Sequence, residues 1–109
     1  MRYDVLVTEG AQHDLDELVD YISRHDSVEN AARVLDRIEL TLADLEQHPS
    51  RGSYPKELLE LGIREYRQIF FKPYRLIYRV TGRNVYIHLI VEGRRDLQSL
   101  LARRLLGSA

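Results

Sequence analysis

The sequence predicts an α+β domain of order β-α-α-β-β-β-α, in which a helix hairpin packs on one face of a mainly antiparallel sheet and a short helix closes the chain. Three observations predict it. Two early acidic stretches place apolar residues at helical spacing, with only Asp26-Ser27 between them. Residues 64–92 then alternate along three strand-like runs broken by Lys72-Pro73 and Gly82-Arg83, and a leucine-rich tail returns to helical spacing after Gly93. Helices that precede an uninterrupted run of strands indicate segregated α and β layers rather than alternating βαβ units.

In chain order, Tyr3, Val5 and Val7 alternate in a short first strand over residues 2–8. Ala11, Leu15, Leu18, Val19 and Ile22 make one apolar stripe, leaving Asp14, Asp16, Glu17 and Asp20 for solvent, and the helix ends near His25-Asp26. Ser27 is a good cap for a second helix, whose stripe of Ala31, Val34, Leu35, Ile38, Leu42 and Leu45 runs on until His48-Pro49. Residues 49–55 are the loop-like stretch, and they lead through Leu58, Leu59 and Leu61 to Gly62. Strands are expected over residues 64–71, 74–81 and 85–92; Gly82 in the first central position suits a type II′ hairpin. Period-two alternation assigns Tyr74, Leu76, Tyr78 and Val80, with Val85, Ile87, Leu89 and Val91, to the face under the helices. Arg75, Ile77, Arg79, Tyr86, His88 and Ile90 fall on the other face. Asp96 opens the last helix, Arg103-Arg104 complement its dipole, and Gly107 is its expected terminator.

With 109 residues the chain is read as one domain, 1–109, and 44% hydrophobic with 30% charged residues is the composition of a globular protein. It has no cysteine, which excludes disulfides and thiolate metal sites. The N-terminal run is short and flanked by acids, unlike a signal peptide, and no stretch nears the roughly 18 apolar residues of a membrane span. A cytoplasmic protein with no membrane partner is therefore expected. The net charge of −1 conceals a polarity: residues 1–60 hold 6 Lys/Arg against 14 Asp/Glu, a balance of −8, and residues 61–109 hold 10 against 3, a balance of +7. A basic sheet under acidic helices can attract its own helical layer, or it can offer an electropositive face to an acidic partner or nucleic acid.

No Gly-rich phosphate loop, Gly-x-Ser-x-Gly or His-Glu-x-x-His motif is present, and His13, His25, His48 and His88 lack metal-ligand spacing, so neither a metal nor a cofactor is expected. The arginines carry the stronger signal. Arg67, Arg75, Arg79, Arg94 and Arg95 fall on neighbouring strands or at the sheet's end, where guanidinium groups can bind phosphate or carboxylate bidentately. Tyr66, Phe70, Tyr74 and Tyr86 interleave with them, a composition suited to base stacking or to protein-interface anchors, although Tyr74 and Tyr78 fit the core. His88 lies mid-strand beside this row and titrates near neutrality.

Lys72-Pro73-Tyr74-Arg75-Leu76-Ile77-Tyr78-Arg79, then Gly93-Arg94-Arg95-Asp96 and a closing Leu-Leu-x-Arg-Arg-Leu-Leu helix, resemble the ParE/RelE superfamily of toxins from type II toxin–antitoxin modules. Ala11-x-x-Asp14-Leu15-x-x-Leu18-x-x-Tyr21-Ile22 and Pro49-x-x-Gly52 match as well, so the resemblance covers essentially the whole chain. For RelE-like members, which cleave messenger RNA on the ribosome, it implies that Arg75 and Arg95 would hold the scissile phosphate. The position of the catalytic tyrosine in the last helix corresponds here to Leu101, and the lysines of the preceding strand to Arg67 and Gln68. The long hairpin and the Arg-Arg-Asp-Leu entry to the last helix look more like the ParE branch. That branch implies a non-enzymatic poison of DNA gyrase, hetero-oligomeric with a cognate antitoxin and touching operator DNA only through it. Tyr66, Arg67, Arg75, Arg79, Arg94 and Arg95 would then bind the target or the antitoxin, with acidic or apolar partner side chains meeting the arginines. The alternatives are a RelE-like ribonuclease acting on ribosome and mRNA, with Arg75 and Arg95 catalytic and His88 a possible base, and a non-toxic member that only binds its antitoxin.

Overall fold

The computed structural model describes residues 2–93 and 95–106, the last two for their backbone only. Arg94 and Gly107, which carried expectations above, lie outside the described residues. The order is β1 (Asp4–Val7), α1 (Glu9–His25), α2 (Val28–Leu45), α3 (Lys56–Leu59), β2 (Arg67–Phe71), β3 (Tyr74–Thr81), β4 (Asn84–Glu92) and α4 (Leu97–Leu106). The predicted α+β architecture is present, with the added one-turn helix α3. The strands form one sheet in the order β1-β4-β3-β2, antiparallel except where β1 runs parallel to β4.

The junctions follow the local chemistry. The Thr8 hydroxyl accepts from Ala11 N at 3.2 Å and donates to Ile87 O at 2.7 Å, so one side chain caps α1 and ties its start to β4. The Ser27 hydroxyl accepts from Asn30 N at 3.0 Å and caps α2. In the β3–β4 hairpin Gly82 has φ +61°, and no described non-glycine residue has positive φ, which is the pattern a type II′ turn requires.

Both sheet faces are covered, by different layers. Ala11, Ile38 and Leu45 of the hairpin pack on Ile69, Leu76, Tyr78, Val85 and Ile87. On the other face Leu58 of α3 and Leu97 and Leu101 of α4 pack on Tyr66, Ile77, Leu89 and Val91. The expectation that Leu89 and Val91 lie under the hairpin is therefore corrected, as is that for Ile90, which sits in the hairpin-side core. The reason is a bulge: Tyr78 faces Ile87 but Ile77 faces Leu89, leaving His88 as an extra residue on β4. One inserted residue inverts the alternation of everything after it.

Candidate functional site

Three segments build the part of the second face that α3 and α4 leave open. Tyr66 precedes β2, Arg79 lies on β3, and Tyr86 and His88 lie on β4. The Arg79 guanidinium sits over the Tyr66 ring at 5.8 Å, and the His88 ring meets Tyr66 edge-on at 5.6 Å and Tyr86 at 6.5 Å. Arg79 is exposed while Tyr66 is buried, so the ring serves as a platform and the cation faces solvent. Burial lowers the pKa of His88 below its ordinary 6.5, and Arg79 and Arg104 lower it further. The imidazole is thus neutral at neutral pH, able to accept a proton or a hydrogen bond.

Arg67 is turned toward the chain itself. It donates to Gly52 O at 2.8 Å, Ser50 O at 3.3 Å and the Tyr54 hydroxyl at 3.1 Å, and it stacks over the Tyr54 ring at 4.5 Å. Its main service is to hold the 49–55 loop on β2, where Ser53 and Gln68 also exchange backbone hydrogen bonds. Arg75 lies beneath α3, its side chain 11% exposed, paired with Glu57 at 2.8 Å and placed over the Phe70 ring at 5.4 Å. Its Nε and NH1 are buried without a hydrogen-bond partner among the described residues. Arg95 is exposed and lines two clefts beside α1, one against the end of β4 and one against α4, neither of which Arg75 lines. Of the arginines singled out from the sequence, Arg79 and Arg95 therefore point to solvent, while Arg67 and Arg75 are engaged internally.

The sequence reading left Asp14 to solvent, and the structure corrects this. Its side chain is 11% exposed and accepts from Arg104 and from Ile90 N, because β1 stops opposite Ile87 and the outer edge of β4 beyond it has no strand to pair with. No local signal marked this pair, because Asp14 and Arg104 lie 90 residues apart. Among the described residues no cluster of three or more His, Cys, Asp or Glu could hold a metal, and no helix is long and apolar enough to cross a membrane.

The family model for the ParE toxin of the type II toxin–antitoxin system parDE matches residues 5–97. The chain belongs to the ParE toxin family. Toxin ParE3 of Caulobacter vibrioides is 29% identical over 100 residues, covering 92% of this chain and 96% of that protein. The chromosomal ParDE toxin–antitoxin system of P. aeruginosa contains a chain of the same fold, with a TM-score of 0.69 at 22% identity over 84% of this chain and 96% of that one. The toxin–antitoxin complex RelBE2 of Mycobacterium tuberculosis matches with a TM-score of 0.58 at 25% identity, over 84% and 99% of the two chains. Within this ParE-family chain Leu101, which stands where the resemblance places a nuclease's tyrosine, is buried in the cluster under α4.

Proposed function

We propose that this chain is a toxin that inhibits DNA gyrase by binding it, and that it is kept inactive by a cognate antitoxin. The observation that carries this reading is the fate of Arg75. A phosphate-gripping arginine must present its fork to the ligand, but here the side chain is covered beneath α3 with its NH2 on Glu57, and Leu101 offers apolar packing in place of a phenol. What stays open is the Arg79–Tyr66–Tyr86 surface, a cation on an aromatic base, which is the composition of an interface anchor. The antitoxin partner is supported by the family and by the complexes of the fold's relatives. Purified protein added to gyrase should reduce supercoiling and raise cleavage complexes; unchanged levels of both at excess toxin would overturn the reading.

A second reading, a ribosome-dependent ribonuclease, draws support from His88 alone, a neutral imidazole beside Arg79 on the open face. Codon-linked transcript ends after induction, lost in His88→Gln, would favour it, and their absence excludes it.

A further inference from the structure

Arg33 and Arg37, four residues apart on α2, rise on the same side of that helix. Across from them stand Lys72 and Pro73, in the turn between β2 and β3. Together they border a cleft of about 310 Å³ whose floor is Val34, Phe71 and Tyr74. Its chemistry is unusual for this part of the chain. Residues 1–60 hold 14 carboxylates, and Arg2, Arg24 and Arg51 each pair with one of them. Arg33, Arg37 and Lys72 are all exposed, and none forms an ion pair among the described residues; Arg33 only donates to Asn30 Oδ1 at 2.7 Å. At the far end Asn30, which lines the cleft, donates to Asp26 at 2.7 Å, and the charge of that acid reaches the Tyr74 hydroxyl.

We propose that this cleft is the docking site of an acidic segment of the antitoxin, which seats one apolar side chain on Val34, Phe71 and Tyr74 and sets carboxylates against Arg33, Arg37 and Lys72. The proposal rests on the toxin–antitoxin reading above and names the surface that serves neutralisation. Complementarity selects the occupant. Three unpaired cations ask for anions, and an apolar floor between them asks for a hydrophobic side chain, which an acidic peptide supplies together. A nucleic acid fits less well, because a phosphate backbone brings no aliphatic side chain for the floor of Val34, Phe71 and Tyr74. The cleft also lies on the helical side of the sheet, away from Arg79 and Tyr66. Neutralisation and target binding would thus use opposite sides of the molecule.

The test uses the full chain and its full-length cognate antitoxin. Titration of the antitoxin into Arg33→Glu/Arg37→Glu should show binding weakened at least about tenfold with a flatter salt dependence. Lys72→Glu should act in the same direction, and Arg24→Glu, a charge reversal elsewhere on the helical layer, should bind as the parent does. In cells the double variant should still arrest growth, and the antitoxin should no longer rescue it. Parent-like affinity of the double variant would overturn the proposal. If charge reversal also abolishes growth arrest, Arg33→Gln/Arg37→Gln takes its place, and antitoxin affinity equal to the parent's again overturns it. Failure of the parent chain itself to bind the antitoxin would instead overturn the pairing on which the proposal stands.

Discussion

Asp14 and Arg104 are 90 residues apart in sequence and meet through two contacts, Oδ1 to NH2 at 3.0 Å and Oδ2 to NH1 at 3.2 Å. Arg104 also donates to His88 O at 2.6 Å, and Asp14 accepts from Ile90 N at 3.1 Å. The pair thus performs the backbone pairing that β1 does not reach far enough to provide, and it locks α1, β4 and α4 together at the bulge. Removing either partner leaves a largely buried charge and bare strand groups, so Asp14→Ala or Arg104→Ala should each cost about 3 kcal/mol in denaturant unfolding. Gly10 sharpens the test, because a Cβ there would lie 2.6 Å from Arg104 NH1. Gly10→Ala should destabilise the parent by displacing that guanidinium. In an Arg104→Ala background it should instead stabilise by about 0.5 kcal/mol through helix propensity.

Gly52 and Tyr78 couple the long loop to the core. The Tyr78 hydroxyl donates to Pro49 O at 2.6 Å and accepts from Gly52 N at 3.0 Å, and a Cβ at Gly52 would lie 2.6 Å from that hydroxyl and 2.7 Å from Gln68 O. One of those atoms is backbone, so the loop must move. Gly52→Ala should lower stability by about 2 kcal/mol, and Tyr78→Phe by about 1.5 kcal/mol. Thermal unfolding of the two single variants and the double variant should show that the losses do not add.

Leu101 is 3% exposed between α4 and the sheet. Its replacement by alanine should cost about 3 kcal/mol by leaving a cavity. Leu101→Tyr should also destabilise, since the added ring and hydroxyl enter a packed apolar cluster. It should not create ribonuclease activity, which mapping of transcript ends would check.

Arg79 is exposed over Tyr66, so Arg79→Glu should leave the melting curve nearly unchanged, within about 0.5 kcal/mol. If this face meets the target, the same change should abolish growth arrest while antitoxin binding persists. Growth arrest equal to the parent's would remove Arg79 from the site.

The lowered pKa of His88 gives a signed pH dependence. Below 6.5 the unfolded imidazole binds a proton that the folded one resists. The contribution is therefore present in full above pH 6.5 and is lost as pH falls through the folded pKa. His88→Gln should flatten the stability profile in that acidic window and leave it unchanged above it. Asp96, whose carboxylate is held below its usual range by the Ser99 hydroxyl and N–H, should add a separate loss at lower pH, below 3.8.

The sequence by itself determined the layers. Stripes at helical spacing, Ser27 as a cap, Gly82 as a hairpin turn and alternation in β3 are local signals, each set by a residue and its near neighbours, and the structure has each of them. Short α3 was missed because one turn between loop residues has no period to read. Tertiary structure alone decided three things. The bulge at His88 arises from register against β3 and inverts the faces of Leu89, Ile90 and Val91. Which arginines stay available was settled by what packs on them: α3 brings Glu57 to Arg75, the 49–55 loop claims Arg67, and Arg79 is left over Tyr66. Asp14 left the solvent face because β1 is shorter than β4, and an unpaired strand edge takes the nearest donor and acceptor that the fold delivers.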